Sequence, residues 1–184
     1  MGLLVVSGEH HAARVAQAHG ATPLPSWMAL QTRARHEKAV VELLMASSVE
    51  HYLPLVDRVS WSGRRKFVSQ VPLFPGYVFL KGELDDAYAA IRSKKACRIV
   101  TVKNQDRFIR EMDQIRRALD LGAELELFPS IPIGTHCRVR SGPLLGLEGT
   151  VVELGKHARF VLHVDMLGQG ALVEVDRDFL EVLE

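Results

Sequence analysis

The chain has 184 residues, of which 47% are apolar and 24% charged, and its net charge is +1. This composition is that of an ordinary folded protein, and it excludes a disordered or fibrous chain. The longest apolar run near the start, residues 3–6, is too short for a signal-peptide core, and no run approaches the ~20 apolar residues of a membrane span. We therefore expect a cytoplasmic protein that does not enter a membrane.

The charge is distributed unevenly along the chain. Residues 26–118 contain 17 Lys and Arg against 10 Asp and Glu, a net +7, whereas residues 119–184 contain 5 against 11, a net −6. A basic module near phosphates joined to an acidic module with another partner would explain this difference, and chance segregation is the alternative. Cys97 and Cys137 have neither metal-ligand spacing nor the pattern of a secreted disulfide framework. We expect no metal and no cofactor.

The first part of the chain predicts an arm, a strand and a helix. Residues 1–25 show no sustained periodicity, which indicates a loose N-terminal arm. The alternating pattern WMALQT predicts a strand over residues 27–32. Residues 33–36 then lead into a helix whose apolar side chains fall largely on one face, so the helix should cover a sheet.

A hairpin and a central strand should follow. Residues 51–61 predict a strand that turns at residues 62–63 and returns over residues 64–71, with a basic tip. The apolar, β-forming run at residues 77–82 predicts a central strand. Further along, the pattern predicts a short helix, a strand and a closing helix, at residues 85–91, 97–102 and 110–121.

The predicted fold class is α+β in two domains. The element order indicates an α/β sandwich with an antiparallel sheet over residues 26–118. Residues 119–131 are charged and end near a Pro, so we place a linker there. Over residues 132–184, short β-rich runs alternate with glycines, which predicts a small β-barrel.

Two stretches resemble a known family. PLFPGYVFL at residues 72–80 resembles the hallmark of the NusG N-terminal domain, supported by WMALQTRARHEK and by YLPLV at residues 52–56. RVRSGPLLGLEGTVVEL at residues 138–154 resembles a KOW motif, and VDMLGQGALVEVD follows at the usual distance. Their order in one chain is specific to the NusG family. The segment RHEK, the KOW stretch and the long basic hairpin resemble those of the specialised RfaH and UpxY paralogues of this family more than those of the housekeeping protein.

The resemblance implies a function in transcription elongation or antitermination, without catalysis. The N-terminal domain would bind the clamp coiled coil of the largest subunit of RNA polymerase and the opposite side of the cleft, favouring a closed, pause-resistant enzyme. The KOW domain would recruit the ribosome or Rho, although Gln169 stands where housekeeping relatives tend to carry Arg, which puts Rho in doubt. We expect a monomer.

The resemblance also implies an apolar concavity that receives the tip of the coiled coil. A Pro75–Gly76 pair makes a rigid turn and holds the rings of Phe74 and Tyr77 near the edge of the sheet. The alternative is that both rings belong to the core, because buried aromatic residues are commoner than binding ones. The candidate polymerase-binding residues are Trp27, Leu73, Phe74, Pro75, Gly76 and Tyr77.

Two basic clusters are candidates for contacts with upstream or non-template DNA. Such clusters bind phosphates without reading bases, and solvated surface charge is the alternative for any one residue. Trp61 either stacks on an unpaired base or stabilises the hairpin. The candidates are Arg33, Arg35, His36 and Lys38 at the first loop and helix start, and Trp61, Arg64, Arg65 and Lys66 at the hairpin tip. In the KOW domain, the candidate partner-binding residues are Leu144, Met166, Leu167 and Gly168.

Two other classes of protein are alternatives. His36 and Glu37 begin like a zinc-protease helix, but Val40 stands where the second His is needed. The glycines of the C-terminal half have neither dinucleotide spacing nor the Lys of a phosphate loop, so an enzyme is disfavoured. A ribosome- or RNA-binding KOW protein is the alternative function. Its barrel should be basic to meet RNA, whereas this one carries a net −6.

Overall fold

A computed structural model describes residues 25–129, 134–154 and 157–183, so the predicted N-terminal arm, except for residue 25, lies outside the described residues. The helices of the described residues are α1 (Glu37–Ala46), α2 (Leu84–Arg92) and α3 (Gln105–Asp120). The strands are β1 (Ser26–Thr32), β2 (Glu50–Tyr52), β3 (Leu55–Ser62), β4 (Arg65–Pro72), β5 (Tyr77–Gly82), β6 (Ala96–Thr101), β7 (Glu126–Phe128), β8 (Thr135–Val139), β9 (Glu148–Leu154), β10 (His157–Val164), β11 (Gln169–Asp176) and β12 (Leu180–Val182). None of these helices is both long and apolar enough to cross a membrane.

The described residues form two compact units. The N-terminal unit comprises residues 25–53 and 74–102, and the C-terminal unit comprises residues 54–73 and 103–183. The sheet of the N-terminal unit is antiparallel, with the strand order β2-β5-β1-β6. Both α1 and α2 contact this sheet. The predicted central strand is confirmed as β5, which pairs with β1 on one side and β2 on the other.

One face of β1 and β5 supplies part of the core of the N-terminal unit. Met28 and Leu30 on β1, and Val78 and Leu80 on β5, are paired across the strands and at most 3% exposed. Such pairs stand on one face of a sheet because side chains alternate with period two. Burial of these apolar side chains supplies much of the stability of the unit.

The prediction of one strand over residues 51–61 is wrong in one respect, because the structure has two strands there, separated by Leu53 and Pro54. Pro has no N–H to donate to a strand ladder, so β2 ends before it and β3 begins after it. β3 and β4 form a separate two-stranded hairpin that closes through Gly63 and Arg64. Gly63 has φ +59°, as the first central residue of a type II′ turn requires, so the turn lies one residue later than predicted.

The closing helix, α3, begins five residues before the predicted start at residue 110. The side chain of Asn104 accepts a hydrogen bond from the backbone N–H of Arg107 at 3.0 Å, which caps the N-terminus of the helix. The first turn is polar, and a search for apolar periodicity therefore misses it.

The C-terminal unit contains a six-stranded antiparallel sheet, with the order β12-β8-β9-β10-β11-β7. The predicted α+β class with a small C-terminal β domain is confirmed. The predicted linker is not wholly irregular, because β7 lies within it and pairs with β11. The prediction also missed β12, a three-residue strand that pairs with β8.

Candidate functional site

The PLFPGYVFL stretch contains a tight turn from Phe74 to Tyr77. The backbone N–H of Tyr77 donates to the carbonyl of Phe74 at 3.2 Å, and Gly76 has φ +84°. Pro at the second position and a positive φ at the third define a type II β-turn. The carbonyl of Gly76 also accepts from the backbone N–H of Thr32 at 2.8 Å, which joins the turn to the end of β1.

The carboxylate of Glu37 fixes the same turn from the opposite direction. Its Oε1 accepts a hydrogen bond from the backbone N–H of Gly76 at 2.8 Å, and the residue is only 7% exposed. Glu37 is the first residue of α1, so the bond connects the helix start to the turn. Both polar groups of the Gly76 backbone are therefore satisfied within the N-terminal unit.

The candidate polymerase-binding residues are divided by their exposure. Leu73 and Phe74 are each 1% exposed, and the ring of Phe74 packs edge-on against Phe79 with 6.3 Å between centroids. Trp27, Gly76 and Tyr77 are half-buried, and Pro75 is exposed. The expectation that Phe74 and Leu73 line an exposed concavity is wrong for this conformation, in which both side chains are core. For Phe74 this is the alternative stated above.

Trp27 and Tyr77 share a face of the sheet without being neighbours. In the β1–β5 register, Trp27 pairs with Lys81 and Gln31 pairs with Tyr77. Four residues along a strand separate the two rings by about 13 Å. The surface at the turn is therefore formed by Pro75, Gly76 and Tyr77, and Trp27 lies towards the opposite end of β1.

The first basic cluster is larger in the structure than in the sequence. Arg33, Arg35, His36 and Lys38 are all exposed, as expected. The backbone N–H of Arg33 donates to the carbonyl of Lys95 at 2.9 Å, so the loop before α1 meets the loop before β6. That second loop adds Lys94 and Lys95, and the strand β6 that follows adds Arg98, which the linear pattern did not associate with the first loop. Only strand pairing could reveal them, because they lie about sixty residues further along the chain.

The second basic cluster lies at the tip of the β3–β4 hairpin. Arg64, Arg65 and Lys66 are exposed, and the register places Lys66 opposite Trp61. The indole of Trp61 is 67% exposed, so most of its surface remains open to a ligand. The tip thus presents an aromatic ring beside three cations, a combination that suits single-stranded nucleic acid.

The candidate residues of the C-terminal sheet lie on two loops. Met166 and Leu167 belong to a single 3-10 turn before Gly168, which has φ +64° and is exposed. Leu144 is half-buried in the loop between β8 and β9. Among the residues that the structure describes, no group of three or more His, Cys, Asp or Glu is arranged to hold a metal ion.

Comparison with known proteins finds a family match for the part of the chain that contains the turn and both basic clusters. Residues 25–117 match the family model named NusG and described as transcription termination factor nusG, which is half of the chain. The chain belongs to the NusG family. It is therefore a member of a family of transcription elongation factors. The C-terminal sheet from β8 to β12 lies outside the residues matched by the NusG model.

No curated protein matches the chain. Eighteen chains of solved structures do. One is described as the crystal structure of the MjSpt4:Spt5 complex in conformation B, with 14% sequence identity over 86% of this chain and 97% of that chain, at a TM-score of 0.31. At this TM-score the likeness adds nothing to the assignment to the NusG family.

Proposed function

We propose that the protein binds RNA polymerase through its N-terminal unit and favours processive elongation, without catalysing a reaction. The observation that carries the proposal is the FPGY turn within the residues that match the NusG family. Three hydrogen bonds fix the turn, so Pro75 and Tyr77 are presented by a rigid support. A rigid aromatic anchor loses little conformational entropy on binding.

The proposed polymerase contact is the clamp coiled coil. The half-buried ring of Tyr77 and the exposed ring of Pro75 offer apolar surface to the tip of a helical hairpin. Trp27 is a separate contact towards the other end of β1. Binding energy spent on the closed state of polymerase would shift its population away from paused states.

The proposed contact with DNA uses both basic clusters. Exposed Arg and Lys side chains bind phosphates by charge, which adds affinity that falls with salt and is independent of sequence. Trp61 would stack on a base of the non-template strand. The cluster at the first loop would extend through Lys94, Lys95 and Arg98.

We further propose that the C-terminal sheet is a KOW domain that recruits a second protein. The ribosome and Rho are the candidate partners, and Gln169 makes Rho the weaker of the two. The specialised, antiterminating role remains part of this proposal. The net −6 of residues 119–184 favours a protein partner over RNA, which separates it from a ribosomal KOW protein.

Binding of core RNA polymerase to the purified protein tests the proposal. Tyr77→Ala should weaken binding by about 2 kcal/mol, because it removes an anchor ring from the contact. Tyr88→Ala is the matched control, since Tyr88 is an exposed aromatic residue on α2 and not part of the turn. Both variants should keep the circular dichroism of the parent. A folded Tyr77→Ala protein with unchanged affinity would remove the turn from the site, and a parent protein that does not bind polymerase would overturn the proposed function.

A further inference from the structure

An open cleft lies in the C-terminal unit, beside the point where α3 ends. Its volume is about 510 Å³, within the range of sites that take several side chains of a ligand. The lining comes from the segment that follows α3, from the loop between β8 and β9, and from strands β7, β10 and β11. All of these belong to the C-terminal unit. The sequence predicted a linker where the first of them lies, so this part of the cleft was not expected.

The first wall of the cleft is fixed by the way in which α3 ends. The backbone N–H of Ala123 donates to the carbonyl of Ala118 at 2.9 Å, and that of Gly122 donates to the carbonyl of Leu119 at 2.9 Å. With Gly122 at φ +76°, these two bonds form a Schellman motif, which stops the helix and holds the residues after it. Leu121 stands at this turn with 53% of its surface exposed.

The second wall is the loop between β8 and β9, which contributes Pro143 and Leu144. The backbone N–H of Leu145 donates to the carbonyl of Gly142 at 3.2 Å, which closes a β-turn. Pro143 takes the second position of that turn, where its fixed φ is favoured. The guanidinium of Arg117 also donates to the carbonyl of Leu145 at 2.9 Å. Because both walls are fixed before a ligand arrives, ordering them costs a ligand little.

The rim of the cleft is acidic. Glu124, Glu126 and Glu174 line it and are exposed, and no ion pair among the described residues includes them. Arg159 is the one cation among the described residues of the lining, and its guanidinium pairs with the carboxylate of Glu153 at 3.1 Å. The strand register places Arg159 between Glu153 on β9 and Glu174 on β11. The cleft is therefore left with a negative charge.

We propose that the cleft binds a segment of a partner protein in which Arg or Lys stands beside a large apolar side chain. This inference rests on the proposed recruitment of a protein by the C-terminal sheet, and it names the chemistry of the segment recruited. The apolar side chain would contact Leu121 and Leu144, and the cation would meet the carboxylates of the rim. A nucleic acid would bring phosphates against those carboxylates, so the charge favours protein.

The proposed site overlaps only partly with the candidate partner-binding residues. Leu144 lines the cleft, whereas the 3-10 turn with Met166 and Leu167 is not part of the lining. The segment after α3 supplies Leu121 and Glu124 instead. We therefore infer that the partner contacts this segment together with the sheet.

Nuclear magnetic resonance of the full chain with two short peptides tests the cleft. One peptide alternates Leu with Arg and is cationic, and the other alternates Leu with Glu and is anionic. At about 1 mM, the cationic peptide should shift the amide signals of Gly122, Glu124 and Glu174, and the anionic peptide should leave them in place. Shifts with neither peptide, or equal shifts with both, would overturn the proposal.

A single-stranded oligonucleotide is the third probe. It should shift signals at the tip of the β3–β4 hairpin and leave those of Gly122, Glu124 and Glu174 unchanged. Shifts of these three amides with the oligonucleotide would assign the cleft to nucleic acid and overturn the proposal.

Charge reversal locates the bound cation. Glu124→Lys/Glu174→Lys should weaken binding of the cationic peptide about tenfold at low salt, as measured by fluorescence anisotropy of the labelled peptide. Glu42→Lys/Glu181→Lys is the matched control, because it changes the net charge equally at exposed residues that do not line the cleft. Equal affinities of the two variants would overturn the proposal.

A milder pair of substitutions keeps the test decisive if charge reversal unfolds the unit. Leu121→Ala should weaken binding of the cationic peptide about threefold, because it removes part of the apolar wall. Leu145→Ala is the control, since Leu145 is 55% exposed and does not line the cleft. Equal affinities of these two variants would likewise contradict the proposal.

Polymerase takes no part in these measurements, so failure of the cleft and failure of polymerase binding are separate results. Shifts with the cationic peptide that are confined to Met166, Leu167 and Gly168 would overturn the cleft as the binding site. They would leave the recruitment of a protein by the C-terminal sheet standing.

Discussion

At the FPGY turn, a side chain from one element fixes the backbone of another. The carboxylate of Glu37 accepts a hydrogen bond from the backbone N–H of Gly76. The turn's own hydrogen bond uses the N–H of Tyr77, so it gives the N–H of Gly76 no acceptor. Because Glu37 is the first residue of α1, we expect a change at the helix start to alter the turn that carries the candidate polymerase contact.

Glu37→Ala should therefore lower the free energy of unfolding by about 1 to 3 kcal/mol, since it leaves a partly buried N–H without its acceptor. Glu42→Ala is the matched control, because Glu42 is an exposed carboxylate on the same helix. Urea denaturation of the two variants measures the difference. Equal stabilities would show that the bond to Gly76 contributes nothing.

His163 gives the C-terminal unit a dependence on pH. Burial lowers its pKa from the ordinary 6.5, and the nearby carboxylate of Asp165 only partly opposes this. The unfolded chain therefore takes up a proton at a higher pH than the folded chain does, and stability is lost as pH falls from 6.5 towards the lowered pKa.

His163→Gln should remove this slope, whereas His157→Gln should keep it because His157 is exposed. Unfolding free energies measured above and below pH 6.5 make the comparison. A slope that persists unchanged in His163→Gln would assign the pH dependence to another group.

Phe74 is buried and Tyr77 is half-buried, and this difference could not be predicted from the sequence. Both rings flank the same Pro–Gly pair, and the pattern does not say which one turns inward. Phe74 is the ring that packs inward, against Phe79. That contact depends on the register of the strands, which cannot be read from the sequence. The turn could thus be predicted from the sequence, but which of the two rings is buried could not.

Among the elements, the β3–β4 hairpin carries the clearest electrostatic prediction. Reversing Arg64, Arg65 and Lys66 to Glu should weaken binding of DNA within a polymerase elongation complex, mainly at low salt. The slope of log K against log salt should fall by about 0.9 for each phosphate that the variant no longer neutralises. Arg58→Glu, on the stem of the hairpin, is the control for charge alone.

Binding to polymerase without DNA should survive the reversal at the hairpin tip. A weakening that does not change with salt would indicate that the tip meets protein, not phosphate. Titration of a labelled elongation complex at several salt concentrations separates the two outcomes.

Elements with a strong periodic signal were the ones that the sequence predicted well. The alternation of β1, the apolar run of β5 and the apolar face of α1 were sufficient, because these patterns are local signals. The start of α3 depends on the cap by Asn104, and β7 depends on pairing with β11 more than forty residues later. Neither is visible in apolar periodicity. The joining of two basic loops through Arg33 and Lys95 is likewise a tertiary event.

At the scale of the whole molecule, the C-terminal sheet raises the question of refolding. The resemblance to RfaH implies an alternative, in which the proposed KOW domain refolds as a helical hairpin that masks the polymerase site. In this chain the region is a β domain while joined to the N-terminal unit. We expect it to stay so, because it contains six glycines and a Pro between Thr135 and Val175, which cost about 1 and about 3 kcal/mol each in a helix interior.

Backbone NMR shifts of the intact protein test the expectation. Strand shifts over the described residues of β8, β9, β10, β11 and β12, unchanged on binding polymerase, are the expected result. Helical shifts in this region would contradict it. A permanent sheet would also leave the FPGY turn available to polymerase without an activating signal.

The pairing of β7 with β11 has a consequence for self-association. An uncovered strand edge is a template on which identical chains can add to one another, and proteins commonly block such edges. Here Glu126, Leu127 and Phe128 occupy the edge at Gly170 to Leu172. A fragment that begins after residue 128 would leave this edge bare beside the buried, apolar Ala171 and Leu172. Fragments of the C-terminal domain that begin before Glu126 should therefore stay monomeric at concentrations where shorter ones aggregate.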